Sequence, residues 1–170
     1  KFVKQFEDEN IVARQTIPAP AQLLAELFRE ENGKNTVKFY PDEEVLIQDI
    51  AKAYRTVIKE LYEAGCRNIQ FDDCTWGMLC DEKFRCNPQV NAEEMALLFA
   101  RINEMALNSR PEGMTITMHV CRGNYHSAWA SWGGYEPVAE TLFDLPVDAF
   151  FLEFDDERSG GFEPLRFIQN

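Results

Sequence analysis

The chain has 170 residues, with 29 acidic against 17 basic side chains and a net charge of -12. That length suffices for one domain with a hydrophobic core, and the 45% share of hydrophobic residues argues against disorder. The negative balance excludes nucleic acid and anionic membranes as expected partners, and no apolar run reaches the 18 residues that would span a bilayer. Five cysteines without close pairing indicate reduced thiols in a cytoplasmic protein.

Strand and helix patterns alternate along the chain. Short apolar runs predict strands at 11–17, 67–71, 114–120 and 147–153. Helical patterns lie between them, at 21–29, 43–64, 91–108 and 135–143, with Asp42 and Asn91 as N-caps and Gly65 as a helix stop. Loops are expected at 74–88, 122–134 and 155–161, and residues from 162 onward begin another helix.

This alternation is typical of an α/β protein whose parallel strands are joined by crossover helices. No Gly-x-Gly-x-x-Gly follows a strand, which disfavours a doubly wound dinucleotide fold. Polar residues instead collect where the strands end, as in a (β/α)8 TIM barrel. A complete barrel needs about 250 residues. We therefore expect residues 1–170 to be a single partial barrel domain of about four consecutive parallel strands, truncated at both ends.

Three residue types that bind zinc occur at two of the predicted strand ends. Residues two apart in a strand point to the same face, so His119 and Cys121 direct an imidazole and a thiol to one place. Glu153 ends the next strand, where a carboxylate needs a partner. A zinc ion satisfies all three. A buried core histidine beside a free cysteine, and an ion pair between Glu153 and Arg158, explain the same residues without a metal.

Asp72 ends the middle strand and shares a face with Gln70. It can hold a substrate ammonium group, or it can cap a nearby backbone turn. Cys74, Cys80 and Cys86 recur every six residues, which is not the spacing of a structural zinc site, and we interpret them as loop and core thiols. Trp129 and Trp132 either wall a ligand pocket or form a lid that packs on itself.

Several of these segments together resemble a known family. The phrases are Ile69-Gln-Phe-Asp72, His119-Val-Cys121-Arg-Gly-Asn and Phe151-Leu-Glu153-Phe-Asp155. In this order and spacing they resemble the catalytic domain of cobalamin-independent methionine synthase, and most closely its short stand-alone bacterial relatives. The resemblance implies an enzyme with a TIM-barrel fold. The enzyme would transfer a methyl group from a methyltetrahydrofolate-type donor to the thiol of homocysteine in methionine biosynthesis.

By the same resemblance, His119, Cys121 and Glu153 are metal ligands for zinc, and Asp72 holds the homocysteine amino group. The family's fourth ligand, a cysteine, and its proton-donating histidine follow the glutamate. Both are expected beyond Asn170, so no catalytic proton donor is assigned within this chain. The 170-residue chain alone is therefore expected to bind zinc weakly and to be inactive. Two alternatives stay open: a barrel methyltransferase that acts on another thiol, and a non-catalytic fragment.

Overall fold

The computed structural model describes residues 1–154 and 156–168, apart from the side chains of Asn124 and Tyr125. The strands are, in chain order, β1 (Gln15–Pro18), β2 (Asn68–Asp73), β3 (Thr115–Val120), β4 (Asn124–Tyr125), β5 (Ala128–Trp129) and β6 (Ala149–Leu152). The α-helices are α1 (Pro20–Leu27), α2 (Glu30–Phe39), α3 (Glu43–Glu63), α4 (Thr75–Cys80), α5 (Glu82–Arg85), α6 (Ala92–Leu107) and α7 (Ala139–Phe143). Short 3-10 helices cover Val3–Phe6, Glu157–Ser159 and Glu163–Phe167.

Four strands form one parallel sheet in the order β1-β2-β3-β6, and β4 and β5 form a separate antiparallel hairpin. The long helices α3 and α6 make the crossovers from β1 to β2 and from β2 to β3. Neighbours in the sheet follow one another along the chain, as in a barrel rather than a doubly wound sheet. The predicted α/β architecture, four parallel strands of a partial TIM barrel, is confirmed.

The two crossover helices begin at the predicted caps. The Asp42 side chain accepts a hydrogen bond from Glu44 N at 3.0 Å, and the Asn91 side chain accepts one from Glu94 N at 3.3 Å. Helix α3 ends before Gly65, which has the positive φ of 95° that favours glycine at this position. In the part of the chain that the structure describes, no helix is both long and apolar enough to cross a membrane.

The sheet has two unlike faces. The outer face is apolar and packs against the helices, and its fully buried members are Ile69, Phe71, Ile116, Met118 and Val120. The other face, here called the inner face, carries Gln70, Asp72, Thr117 and His119, which stand opposite one another by strand register. The hydrophobic core therefore lies between sheet and helices, and Asp72 and His119, near the ends of β2 and β3, lie on the inner face.

Several segments differ from the sequence-based expectations. Residues 74–88 were expected to be a loop but contain α4 and α5, which bury Trp76, Leu79 and Cys80. Residues 122–134 include the β4–β5 hairpin, and the helix expected at 135–143 begins only at Ala139. The first strand is also shorter than predicted, at Gln15–Pro18.

Candidate metal and substrate site

The predicted site residues meet at the carboxyl ends of three neighbouring strands. Asp72 of β2 is in register with His119 of β3, and His119 is in register with Phe151 of β6. Glu153 and Cys121 each lie two residues further along, beyond the last paired residues. Because all of these strands run in the same direction, their ends place the four predicted residues at one edge of the sheet.

The His119 imidazole lies between two carboxylates. Its Nδ1 is 3.1 Å from Asp72 Oδ1, and its Nε2 is 3.2 Å from Glu153 Oε1. A neutral imidazole has one N–H and can donate to only one of them. The arrangement is satisfied either by an imidazolium that donates to both carboxylates or by a neutral ring that donates to Asp72 while a cation lies between Nε2 and Glu153.

Glu153 also has a cationic neighbour. Its Oε2 lies 3.4 Å from Nη2 of Arg158, whose side chain is 2% exposed. The Tyr135 hydroxyl accepts a hydrogen bond from Glu153 N at 3.1 Å and lies 3.3 Å from Glu153 O, which fixes the backbone at this strand end. Burial raises the pKa of Tyr135 to about 12, so its hydroxyl stays protonated. The ion pair between Glu153 and Arg158, the alternative to a metal, is thus present, but it uses only one of the two carboxylate oxygens.

Cys121 contacts a residue that sequence reasoning did not include in the site. Gly123 N donates to the Cys121 sulfur at 3.4 Å, and the Cys74 thiol lies near the same sulfur. The interaction with the Cys74 thiol is the main cause that lowers the pKa of Cys121 to about 6, against the opposing effect of burial. The same interaction, together with burial, raises the pKa of Cys74. The sequence feature that could have identified Cys74 as a site residue is its position directly after the Asp72-Asp73 strand end.

A buried polar cluster holds the end of β2 in place. Asp73 is fully buried and accepts hydrogen bonds from Thr75 N at 2.8 Å and Thr75 Oγ1 at 2.6 Å, while Asn103 Nδ2 of helix α6 donates to it at 3.5 Å. Burial raises the pKa of Asp73 against these hydrogen bonds. The cluster ties β2 to the first turn of α4 and so fixes where Cys74 lies.

The aromatic loop residues pack on one another. The rings of Trp129 and Trp132 are 4.7 Å apart, and the Arg158 guanidinium lies 5.1 Å from the Trp129 ring. Arg122 is buried over the Tyr135 ring, and it donates to the Gly133 carbonyl. These contacts match the self-packing lid rather than an open ligand pocket.

The donor set suits zinc, although its atoms do not all converge. Two ligands held about 2.0–2.1 Å from a tetrahedral ion lie about 3.4 Å apart, close to the 3.2 Å between His119 Nε2 and Glu153 Oε1. Within residues 1–154 and 156–168, however, no group of three or more His, Cys, Asp and Glu side chains is arranged to hold a metal ion. Cys121 is engaged with Cys74 and Gly123, so it would have to leave those contacts to join His119 and Glu153.

The proton donor that the family resemblance implies is not among these residues. The resemblance places that histidine beyond Asn170, and Asn170 itself lies outside the described residues, as does Asp155 of the third motif. The sequence contains two histidines. His119 lies between the two carboxylates, and His126 is exposed in the turn between β4 and β5. The location of the proton donor beyond Asn170 therefore stays a prediction, and no residue of this chain is assigned that role.

Comparison with known proteins finds relatives that this chain matches over only part of their length. No protein-family model matches the chain. Over 164 residues it is 43% identical to YxjH and 42% identical to YxjG, two uncharacterized proteins of Bacillus subtilis strain 168. These matches cover 94% and 92% of this chain but 42% and 41% of the relatives, so the chain spans less than half of their length.

One solved structure matches nearly the whole chain. It is the crystal structure of a Listeria monocytogenes protein, provisionally named a vitamin-B12-independent methionine synthase. The TM-score is 0.71 at 34% identity, over 99% of this chain and 48% of that protein. By its provisional name, this structural neighbour belongs to the family that the strand-end motifs resemble.

Proposed function

We propose that these strand ends form part of the active site of a zinc-dependent methyltransferase that transfers a methyl group from a methyltetrahydrofolate-type donor to the thiol of homocysteine. The observation that carries this proposal is His119 held between Asp72 and Glu153, with Cys121 two residues further along the chain, directly after β3. The name of the Listeria monocytogenes neighbour supports the same reaction class.

Each residue has a distinct part in this proposal. His119 Nε2, Glu153 and the Cys121 sulfur would hold the ion, and Asp72 would accept the Nδ1–H of His119, as carboxylates behind metal-bound histidines commonly do. A bound zinc ion supplies the deprotonation of a coordinated substrate thiol at neutral pH. Arg158 neutralises the second oxygen of Glu153. The substrate thiolate then displaces the donor at the methyl carbon and forms a thioether.

Asp72 supports an amino-acid thiol as the methyl acceptor. Gln70 Nε2 and His119 Nδ1 both contact its Oδ1, at 2.9 and 3.1 Å. The neighbouring Oδ2 can therefore accept from the ammonium group of homocysteine without breaking either contact. Another thiol that carries an ammonium group fits equally well, and a comparison of acceptor thiols with and without that group distinguishes the two.

Zinc content and activity of the intact protein test the proposal. We expect about one zinc per chain, and we expect His119→Ala to lower zinc affinity by more than about 100-fold, because removing even the partner of a ligand costs 10–100-fold. Methyl transfer to homocysteine should be lost with the metal. Cobalt substitution provides a second readout, since Cys121 as a ligand contributes to a thiolate-to-cobalt absorption band that Cys121→Ser weakens.

The chain contains its own matched control. His126 is the second histidine and lies exposed in the turn between β4 and β5, so His126→Ala should leave zinc content and activity unchanged. Zinc-free intact protein, or equal zinc affinity in His119→Ala and His126→Ala, would contradict the metal assignment.

A further inference from the structure

Cys74 and Cys121 occupy adjacent positions at the ends of β2 and β3. Asp73 is in register with Val120, and the ladder continues with a hydrogen bond from Cys121 N to Asp73 O at 2.9 Å. Neighbouring strands lie about 4.8 Å apart. The Cα atoms of bridged cysteines lie about 4.4–6.8 Å apart. The backbone therefore brings the two residues into the range that a disulfide requires.

The two side chains also face each other and can be reached from solvent. The two thiols are close enough that each shifts the pKa of the other, and both residues are half-buried. Cys80 is buried at the end of α4, and Cys66 precedes β2 at the opposite end of the sheet. Cys86 is exposed but lies beyond α5. The facing pair is thus distinct in its surroundings from the other three thiols.

We propose that Cys74 and Cys121 form a redox-active dithiol, a site of reversible oxidation by hydroperoxides. The Cys121 sulfur attacks a peroxide oxygen, so that an S–O bond forms, the O–O bond breaks and water leaves. The Cys74 sulfur then attacks the oxidised sulfur, so that the S–S bond forms and the S–O bond breaks with loss of a second water. Two thiols and hydrogen peroxide thus give one disulfide and two waters.

The oxidation has a consequence for the proposed metal site, and this step rests on the proposed function. Cys121 in a disulfide has no thiolate to offer zinc, so of the three ligands proposed in this chain only His119 and Glu153 would remain to hold the ion. Oxidation would therefore release zinc and stop methyl transfer, and a dithiol reductant would restore both.

Peptide mapping after peroxide treatment tests the dithiol directly. The intact protein is treated with a few equivalents of hydrogen peroxide, blocked with N-ethylmaleimide and digested with trypsin without reduction. Cys74 lies on the tryptic peptide 68–83 and Cys121 on the peptide 102–122. We expect these peptides to be linked, with fragmentation placing the bond at Cys74 rather than Cys80, and to separate on treatment with dithiothreitol.

Two variants and a zinc readout complete the experiment. Cys74→Ser should lose the linked peptides, whereas Cys86→Ser, which changes the exposed cysteine, should retain them. Linked peptides in a protein that binds no zinc would support the dithiol and contradict the metal proposal. Zinc binding that depends on His119, with both thiols still open to N-ethylmaleimide after peroxide, would overturn the dithiol and leave the metal proposal standing.

Discussion

At the scale of single residues, the two contacts of the His119 ring have different consequences. Asp72 contacts Nδ1 and Glu153 contacts Nε2. If Asp72 accepts the Nδ1–H, the lone pair of Nε2 points toward Glu153, where only a cation makes the contact favourable. Under the proposed function, the pair of carboxylates orients the imidazole for a metal ion on the Glu153 side, and Asp72 has a positioning role beside its proposed contact with substrate.

Replacing Asp72 by asparagine separates these two roles. Asp72→Asn keeps an oxygen that accepts from His119 but removes the charge that would attract a substrate ammonium group. A hydrogen bond to a charged group contributes about 1.5–3 kcal/mol. We therefore expect the KM for homocysteine to rise about 10–100-fold while zinc affinity stays within a few-fold of the original. A parallel loss of zinc affinity, measured by competition with a chromophoric chelator, would show that the charge acts through His119.

The sequence predicted part of this residue-level arrangement. Parallel strand ends were enough to bring Asp72 and Glu153 beside His119, whereas the shared face of His119 and Cys121, expected from alternation within a strand, stays a prediction. The contact between Cys74 and Cys121 was missed because it depends on the register of β2 against β3, which brings Asp73 opposite Val120. The six-residue recurrence of the cysteines contains no information on that register.

At the scale of elements, the segment after β2 shows why the short helices escaped prediction. Helix α4 has six residues and α5 has four, too few for an apolar period to repeat. These short helices are stabilised by particular contacts: Trp76 of α4 is buried against the Phe99 ring of α6, and Asp81 caps α5. The long helices α3 and α6 were predicted well because their caps and apolar stripes repeat over several turns.

Helix α4 packs closely on the end of β3 at Gly77. A Cβ atom added there would lie 2.7 Å from the carbonyl oxygen of Cys121. We expect Gly77→Ala to lower the free energy of unfolding by about 1–3 kcal/mol, because overpacking displaces the neighbouring backbone. It should also weaken zinc binding by the intact protein, since the displaced atom belongs to Cys121.

Gly134 provides the control for this substitution. A Cβ atom there would lie 3.4 Å from the Ser159 carbonyl oxygen, an ordinary van der Waals contact, and neither Gly77 nor Gly134 has a positive φ. Urea denaturation of both variants measures the difference. Equal midpoints for Gly77→Ala and Gly134→Ala would mean that α4 tolerates a small outward shift and does not fix the position of Cys121.

At the scale of the whole molecule, the sheet explains both the predicted fold class and the location of the site. All helices that make its crossovers cover the apolar outer face, which leaves the polar inner face and the strand ends for chemistry. The parallel order was predictable from the alternation of elements. The exact strand bounds were not, because apolar residues such as Ile11 and Val12 are exposed and lie outside β1.

The position of each strand within the sheet predicts how fast its amide hydrogens exchange. Strands β2 and β3 have neighbours on both sides, whereas β1 and β6 have one neighbour each among the described residues. Alternate amides of such an edge strand lack a partner in the ladder, and opening an edge needs less free energy than opening the centre. In hydrogen-exchange mass spectrometry of the 170-residue chain, amides of β2 and β3 should therefore exchange at least about tenfold more slowly than those of β1 and β6. If β6 exchanges as slowly as β3, another strand is paired along its edge.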